Sequence, residues 1–294
     1  MWVEHGVTLF RVDNPHTKPV RFWQELLAEF DRKHPEVIFL AEAFTRPTMM
    51  HTLGKVGFHQ SYTYFTWRES AEELQEYLEE LVESAPYMRP SFWPTTHDIL
   101  TPFMTRGGEA AFRLRAILAA TTVPTWGIYS GYELVENVPR PGAEEQIDNE
   151  KYEYRPRDFA AASAAGTSLE PLLTRLNRIR REHPALQQLT NIRFHEADDP
   201  RLLVFSKHLD AEATGTGRSD TVLVVCMTEY EGEAFSTLHL DRDELHVPES
   251  FEVEDLLTGD RYTWSEEPLV ILNGHDHPAH VLRVIRPEEG TSHV

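Results

Sequence analysis

The sequence contains only one cysteine in 294 residues, Cys226, and it lies inside the apolar run VLVVCM. A single cysteine excludes an intramolecular disulfide, and its apolar neighbours favour a structural thiol in a core strand over a reactive one. Disulfides are typical of oxidising compartments, so a chain without them fits a reducing cytoplasm. We therefore expect a cytoplasmic protein.

Long apolar runs are also lacking. No stretch of about 18 apolar residues passes without a charge, which excludes a membrane-spanning helix. The first residues, MWVEHGVTLFRVD, carry Glu4, Arg11 and Asp13 and so do not form the apolar region of a secretory signal.

Positive charge is scarce. The sequence has 28 Lys and Arg residues against 48 Asp and Glu residues, which leaves a formal net charge of -20. This balance repels phosphate backbones. It argues against nucleic acid or an anionic membrane as the main partner.

Up to residue 190, the sequence alternates short apolar runs with helical patterns. The predicted strands lie in VTLFRVD, VIFLAEAF, QSYTYF, MRPSFWPTTHD and PTWGIYS, with helices between and after them. Five strand and helix units of this kind predict an α/β fold, either an open doubly wound sheet or part of a barrel. A closed eight-stranded barrel usually needs about 250 residues. Either the sheet is open, or the chain lacks the beginning of a barrel.

Residues 191–294 have a different pattern. Eight short extended segments, from IRFHEA to HVLRVI, are separated by Gly, Asp, Glu and Pro. This pattern predicts an all-β sandwich domain that follows the α/β region of residues 1–190.

Three carboxylates lie at the ends of predicted strands: Asp13, Glu42 and Asp98. Taken singly, an acid in such a place is most simply a turn former or a helix cap. Arg11, however, lies two residues before Asp13 on the same strand face, and His97 precedes Asp98. Acids flanked by donors at the carboxyl ends of parallel strands are what retaining glycosyl transfer requires.

Fifteen histidines invite a metal-site interpretation. The HDH run at residues 275–277, together with His5, His34 and His59, does not converge with other candidate ligands at metal-binding spacing. We interpret these histidines as surface or capping residues. We therefore predict no catalytic metal and no cofactor.

The amino-acid sequence of several segments resembles that of a known family. FRVDNPH, FLAEAF and TTHD are similar, in order, to three catalytic motifs of the α-amylase superfamily, glycoside hydrolase family 13. The longer segments IFLAEAFTRPTMMHTLGKVGF, TWGIYSGYELVENVPRPG and EKYEYRPRD resemble one branch, the bacterial maltose-1-phosphate-dependent α-1,4-glucan maltosyltransferases. The resemblance runs across nearly the whole chain. It implies that residues 1–190 are strands 4 to 8 of a (β/α)8 TIM barrel.

The resemblance also implies roles for individual residues. Asp13 becomes the nucleophile, Glu42 the general acid/base, and Asp98 the carboxylate that holds the donor sugar. The substrate-binding positions that it implies are Arg11, Asn14, His97, Lys151 and Tyr152, with Asn14, Lys151 and Tyr152 near the donor phosphate. From the residues alone, Lys151 is more simply a solvated loop lysine in a polar stretch.

Two departures from the branch stand out. The third motif is Thr95, Thr96, His97, Asp98, as in ordinary amylases, where the branch usually has Asn-Thr-Pro-Asp. The upstream barrel strands and the dimer-forming domains of this homodimeric family would precede Met1.

The expected function is maltosyl transfer from α-maltose 1-phosphate to α-1,4-glucan. An α-amylase-type hydrolase or a 4-α-glucanotransferase stays open as an alternative. So does a non-catalytic fragment.

Overall fold

The computed structural model describes residues 1–147 and 154–286. Its first sheet contains five strands in the order β1-β2-β3-β4-β5, and every neighbouring pair is parallel. The strands are β1 Leu9–Asp13, β2 Ile38–Glu42, β3 Gln60–Tyr62, β4 Pro90–Phe92 and β5 Thr125–Trp126. The five predicted strands are confirmed, and because they are parallel, their carboxyl ends meet at one edge of the sheet.

Helices fill the connections between these strands and follow the last of them. They are α1 Val20–Lys33, α2 Pro47–Lys55, α3 Ala71–Ser84, α4 Pro102–Thr122, α5 Phe159–Ala165 and α6 Glu170–Glu182. α3 begins with a capping box in which Ser70 and Glu73 bind each other's backbone N–H groups. α4 is interrupted at Gly108, whose φ of 49° and ψ of -133° a side chain would disfavour. Among the described residues, no helix has both the length and the apolar character that crossing a bilayer requires.

The second sheet contains eight antiparallel strands in the order β11-β10-β13-β8-β7-β6-β9-β12. The strands are β6 Ile192–Ala197, β7 Leu202–Leu209, β8 Asp220–Met227, β9 Glu233–His239, β10 Phe251–Asp255, β11 Arg261–Trp264, β12 Leu269–Asn273 and β13 Ala279–Ile285. Two short helices, α7 Ala211–Thr214 and α8 Arg242–Leu245, lie in its loops. β6 pairs with β7 through its first residues and with β9 through its last, so the sheet changes direction there. The eight extended segments are confirmed as strands. The division of the chain at residue 190 stays a prediction.

Two apolar clusters support these sheets. The smaller one joins α1 and α2 to the start of the parallel sheet, with Trp23, Leu27, Phe39 and Leu53 at its centre. The larger one is continuous from α3 and α4 into β7, β8 and β13. Cys226 is fully buried in this larger cluster, and burial raises the pKa of its thiol. The prediction of a structural thiol is therefore confirmed.

Buried cations bind the carbonyl groups at the end of α4. Lys207 of β7 is fully buried, and its Nζ donates to Thr122 O and Gln188 O at 2.6 Å each. Arg180 of α6 donates to Ala120 O and Pro124 O, and to Val123 O at 2.9 Å. Burial lowers the pKa of Lys207 to about 7, and the charge of Arg180 acts in the same direction. These side chains satisfy helix-end carbonyls that the helix cannot pair itself.

We expect Lys207→Met to lower the free energy of unfolding by about 1–3 kcal/mol, because buried carbonyl oxygens lose their donor. The loss should grow between about pH 7 and about pH 9. In this range the unfolded wild-type chain keeps the proton on Lys207 and the folded chain releases it, so the wild type gains stability and the variant does not. Urea unfolding at both pH values measures the difference.

The matched control is Lys18→Met, since Lys18 is exposed. We expect it to leave the unfolding free energy nearly unchanged at both pH values. A Lys207→Met loss that shrinks as the pH rises would contradict the assignment.

Candidate active site

Asp13 and Glu42 are the last residues of two neighbouring parallel strands. β1 and β2 are paired over five residues, and Asp13 stands opposite Glu42 in that register. Neighbouring strands lie about 4.8 Å apart, and side chains opposite each other in a parallel pair share a face. The two acids that the sequence singled out therefore lie side by side at the carboxyl edge of the sheet.

Arg11 contacts both of these acids. Its Nη1 lies 3.2 Å from Asp13 Oδ2, and its Nη2 lies 2.7 Å from Glu42 Oε1. The strand period of two explains this, because Arg11 is two residues before Asp13 and points to the same side. The two terminal nitrogens of one guanidinium thus bind two carboxylates, and its positive charge reduces the repulsion between them.

The two carboxylates have different surroundings. Glu42 is 4% exposed, whereas the side chain of Asp13 is 53% exposed. Burial raises the pKa of Glu42, and the charges of Asp13 and Asp98 raise it further, while Arg11 and the backbone N–H of Asn14 lower it. The net direction is upward. Glu42 therefore holds a proton more readily than an exposed glutamate does.

Asn14 connects the same two acids. Its Nδ2 donates to Asp13 Oδ1 at 3.0 Å, and its backbone N donates to Glu42 Oε2 at 3.4 Å. The residue has φ 43° and ψ 55°, in the left-handed region that asparagine tolerates better than most residues. This conformation turns the chain directly after β1 into the short 3-10 helix Pro15–Thr17.

Asp98 and His97 lie in the loop between β4 and α4. His97 Nε2 is 2.7 Å from Asp98 Oδ2, and the backbone N of Asp98 donates to Thr96 Oγ1 at 3.2 Å. The Asp98 charge acts on Glu42 by raising its pKa. The loop therefore brings the third acid towards the first two. Lys151 and Tyr152, the other predicted substrate contacts, lie outside the described residues.

Sequence reasoning missed an aromatic group beside Arg11. The Arg11 guanidinium carbon lies 5.8 Å from the ring centre of Tyr62, and Tyr62 stacks on Trp93 with ring centres 5.2 Å apart. Burial raises the pKa of the Tyr62 phenol. Tyr62 ends β3 and Trp93 directly follows β4, so their strand-end positions were the available signal. By contrast, Tyr132 is buried and donates to Phe112 O at 2.6 Å, which is a packing role.

The interpretation of the HDH run as lacking partner ligands is wrong for His277. The chain folds so that His277 meets Asp255 and His280, whose ligand atoms all lie within 4.8 Å of one another. Sequence spacing alone could not show this, because Asp255 comes from β10 and the two histidines from the region of β13. This group lies in the antiparallel sheet and includes none of the three acids described above.

Comparison with known proteins shows what the chain is similar to. A family model described as "GLGE, C-terminal" matches residues 194–284. The chain is 55% identical to the alpha-1,4-glucan:maltose-1-phosphate maltosyltransferase of Arcanobacterium haemolyticum and 52% identical to maltosyltransferase 2 of Streptomyces coelicolor, in each case over 97% of its length. The chain therefore corresponds to a C-terminal portion of these maltosyltransferases. It spans about two-fifths of these relatives, 42% of each.

Solved structures of similar fold support the architecture of this chain. An α-amylase from Geobacillus thermoleovorans superposes with a TM-score of 0.69 at 15% identity, and an Anoxybacillus α-amylase with a TM-score of 0.71 at 16% identity. Each superposition covers 97% of this chain, and 62% and 61% of the respective amylase. At such identity the similarity concerns the fold alone. The predicted partial α/β barrel followed by a β domain is confirmed.

We expect Glu42→Gln to affect stability in a pH-dependent way. Because its folded-state pKa is raised, the folded chain binds a proton at Glu42 at pH values where the unfolded chain does not. The wild type therefore gains stability relative to the glutamine variant as the pH falls from about 7.5 to about 5. Urea unfolding of both proteins at the two pH values tests this.

Glu76→Gln, at an exposed position of α3, is the control for the change of side chain. Its difference from the wild type should stay small at both pH values. If the glutamine at position 42 became relatively more stabilising at the lower pH, the raised pKa would be wrong.

Proposed function

We propose that this region carries the catalytic carboxylates of a retaining transferase, which moves a maltosyl group from α-maltose 1-phosphate to the non-reducing end of an α-1,4-glucan. The observation that carries the proposal is the guanidinium of Arg11, which pairs with both Asp13 and Glu42 at the ends of neighbouring strands. Retaining enzymes use two carboxyl groups about 5 Å apart. The choice of donor and acceptor follows the names of the curated relatives.

In the first step, Asp13 is the nucleophile. Its carboxylate attacks the anomeric carbon of the donor, the bond to the phosphate oxygen breaks, and a covalent maltosyl ester forms on the opposite face of the sugar. Arg11 and Asn14 hold the attacking carboxylate through its two oxygens. Its half-exposed position leaves it accessible to a sugar.

In the second step, Glu42 is the general base. It accepts the proton of the acceptor's 4-hydroxyl group while that oxygen attacks the anomeric carbon and releases Asp13. Two inversions give net retention. A buried carboxyl group suits this proton transfer, because its raised pKa lies closer to neutral pH than the pKa of an exposed glutamate does.

The remaining predicted residues bind the donor in this proposal. Asp98 accepts hydrogen bonds from sugar hydroxyls, and His97, 2.7 Å from it, orients its carboxylate. Lys151 and Tyr152 bind the phosphate together with Asn14, since a phosphate next to Asp13 requires donors and a cation.

The activity of the whole relatives extends to this chain only as part of the proposal. β1 and β5 lie at the two edges of the parallel sheet, and a closed barrel needs further strands between such edges. The division of the chain into a partial barrel, residues 1–190, and a β domain, residues 191–294, is also part of the proposal. A cytoplasmic location and the homodimer expected for the family stay predictions.

A second candidate is an α-amylase-type hydrolase or a 4-α-glucanotransferase, which takes a glucan as donor. The contact of His97 with Asp98 favours it, because a histidine directly before the third acid is the amylase pattern. The two candidates differ in donor. Cleavage of starch without any reaction of maltose 1-phosphate would favour the hydrolase.

The first test of function is phosphate release from α-maltose 1-phosphate in the presence of a malto-oligosaccharide. Two proteins are compared: this chain, and this chain fused behind the preceding part of the Arcanobacterium haemolyticum relative. We expect Asp13→Asn to reduce release by about 1,000-fold or more, because a carboxamide is not a competent nucleophile.

Asp31→Asn, on the exposed side of α1, is the matched control and should retain full activity. Activity in the fusion alone would mean that this chain is an incomplete site. Activity in neither protein, or an Asp13→Asn variant as active as the wild type, would contradict the proposed role.

The second test isolates Glu42. In the active protein, Glu42→Gln should slow the step that needs a base more than the departure of phosphate, which is already a good leaving group. We therefore expect the variant to accumulate a covalent maltosyl ester on Asp13, detected by intact-protein and peptide mass spectrometry. No adduct in the variant under single-turnover conditions would count against Glu42 as the base of the second step.

A further inference from the structure

Asp255, His277 and His280 form a compact group of possible metal ligands in the antiparallel sheet. Asp255 ends β10, His277 lies in the turn between β12 and β13, and His280 is the second residue of β13. Each offers one ligand atom, and all of these atoms lie within 4.8 Å of one another. In the part of the chain that the structure describes, no second group of this kind is found.

The carboxylate of Asp255 is held in place before any ligand arrives. The residue is fully buried, and its Oδ1 accepts hydrogen bonds from the backbone N of Leu257 at 2.9 Å and of Val281 at 3.4 Å. Its Oδ2 lies 2.7 Å from His280 Nδ1. Burying a carboxylate is costly unless positive charge or hydrogen bonds compensate it. Backbone donors behind a carboxylate are also typical of the support that metal ligands receive.

The two imidazoles lie on the other side of this carboxylate. His280 is 7% exposed and packs against the rings of Tyr262 and Trp264, with ring centres 5.7 and 6.4 Å away. His277 is half-buried, and its ring meets that of His280 edge to face at 4.7 Å. Aromatic rings therefore enclose the group on the side of His280, and the group is partly exposed at His277.

We propose that Asp255, His277 and His280 bind one divalent transition-metal ion, with Zn²⁺ as the best match. Two imidazoles and a carboxylate suit zinc, whereas calcium and magnesium prefer oxygen ligands. Bonds of about 2.0 Å in a tetrahedron set ligand atoms about 3.3 Å apart. The side chain of the half-buried His277 moves towards the other two ligands and brings the three ligand atoms to this spacing. A water molecule takes the fourth position.

The ion would join three pieces of the β domain. It replaces the hydrogen bond between His280 and Asp255 and ties both to the turn that carries His277. Because ligands must be deprotonated, binding releases protons and weakens at acidic pH. This site is independent of the proposed transferase chemistry, since none of the acids at the end of the parallel sheet takes part in it.

The test is a zinc titration of the tag-free chain, stripped with a chelator and then competed against a chromophoric zinc indicator. We expect one ion per chain. Cobalt provides a second readout, because a four-coordinate site of this kind produces a visible absorption band. His277→Ala should weaken zinc binding by about 100-fold or more, since it removes one of three protein ligands.

The matched control is His275→Ala, two residues earlier in the same turn and exposed. It should bind zinc with the affinity of the wild type. Zinc should raise the melting temperature of the wild type and of His275→Ala, but not that of His277→Ala. His277→Gln repeats the test with a side chain of similar size if the alanine variant unfolds. Absence of saturable binding, or equal affinity in the His277 and His275 variants, would overturn the proposal.

Discussion

The register between β1 and β2 is the constraint on which the candidate site depends. Because side chains alternate between the faces of a strand, pairing Asp13 with Glu42 puts both carboxylates and Arg11 on one side. A slip of one residue would turn Glu42 to the opposite face and leave Arg11 with one acidic partner. The same register explains why a buried glutamate is tolerated. Its cost is offset by a cation that the neighbouring strand holds in place.

One buried basic side chain joins the partial barrel to the β domain, and two others brace the barrel region itself. Lys207 extends from β7 to a carbonyl of α4, and Arg180 reaches the same helix end from α6. Arg115 lies inside α4, donates to Arg68 O at 2.7 Å and packs over the ring of Phe65. Each side chain gives hydrogen bonds to backbone oxygens that are otherwise hard to satisfy in an apolar interior. The larger apolar core continues across both sheets.

Sequence patterns were sufficient for the element order and for the candidate acids. The run VIFLAEAF, which is apolar on both strand faces, predicted a buried parallel strand. Short extended segments after residue 190 predicted the eight strands of the second sheet. Arg11 could be linked to Asp13 from their spacing, because two residues on a strand share a face. Its contact with Glu42 could not, since the pairing of strands 29 residues apart depends on how the sheet assembles. Tyr62 and Trp93 were missed for the same reason.

By itself, the sequence determined which residues form strands and helices, because local periodicity and turn residues carry that information over a few residues. It also showed the resemblance to the maltosyltransferases, through motifs that extend along nearly the whole chain. The tertiary structure alone decided which distant side chains meet. Burial of Glu42, the contacts of Lys207 with two carbonyls, and the meeting of Asp255 with His277 and His280 all arise from packing between separate elements. Such contacts have no fixed sequence separation, so no local pattern records them.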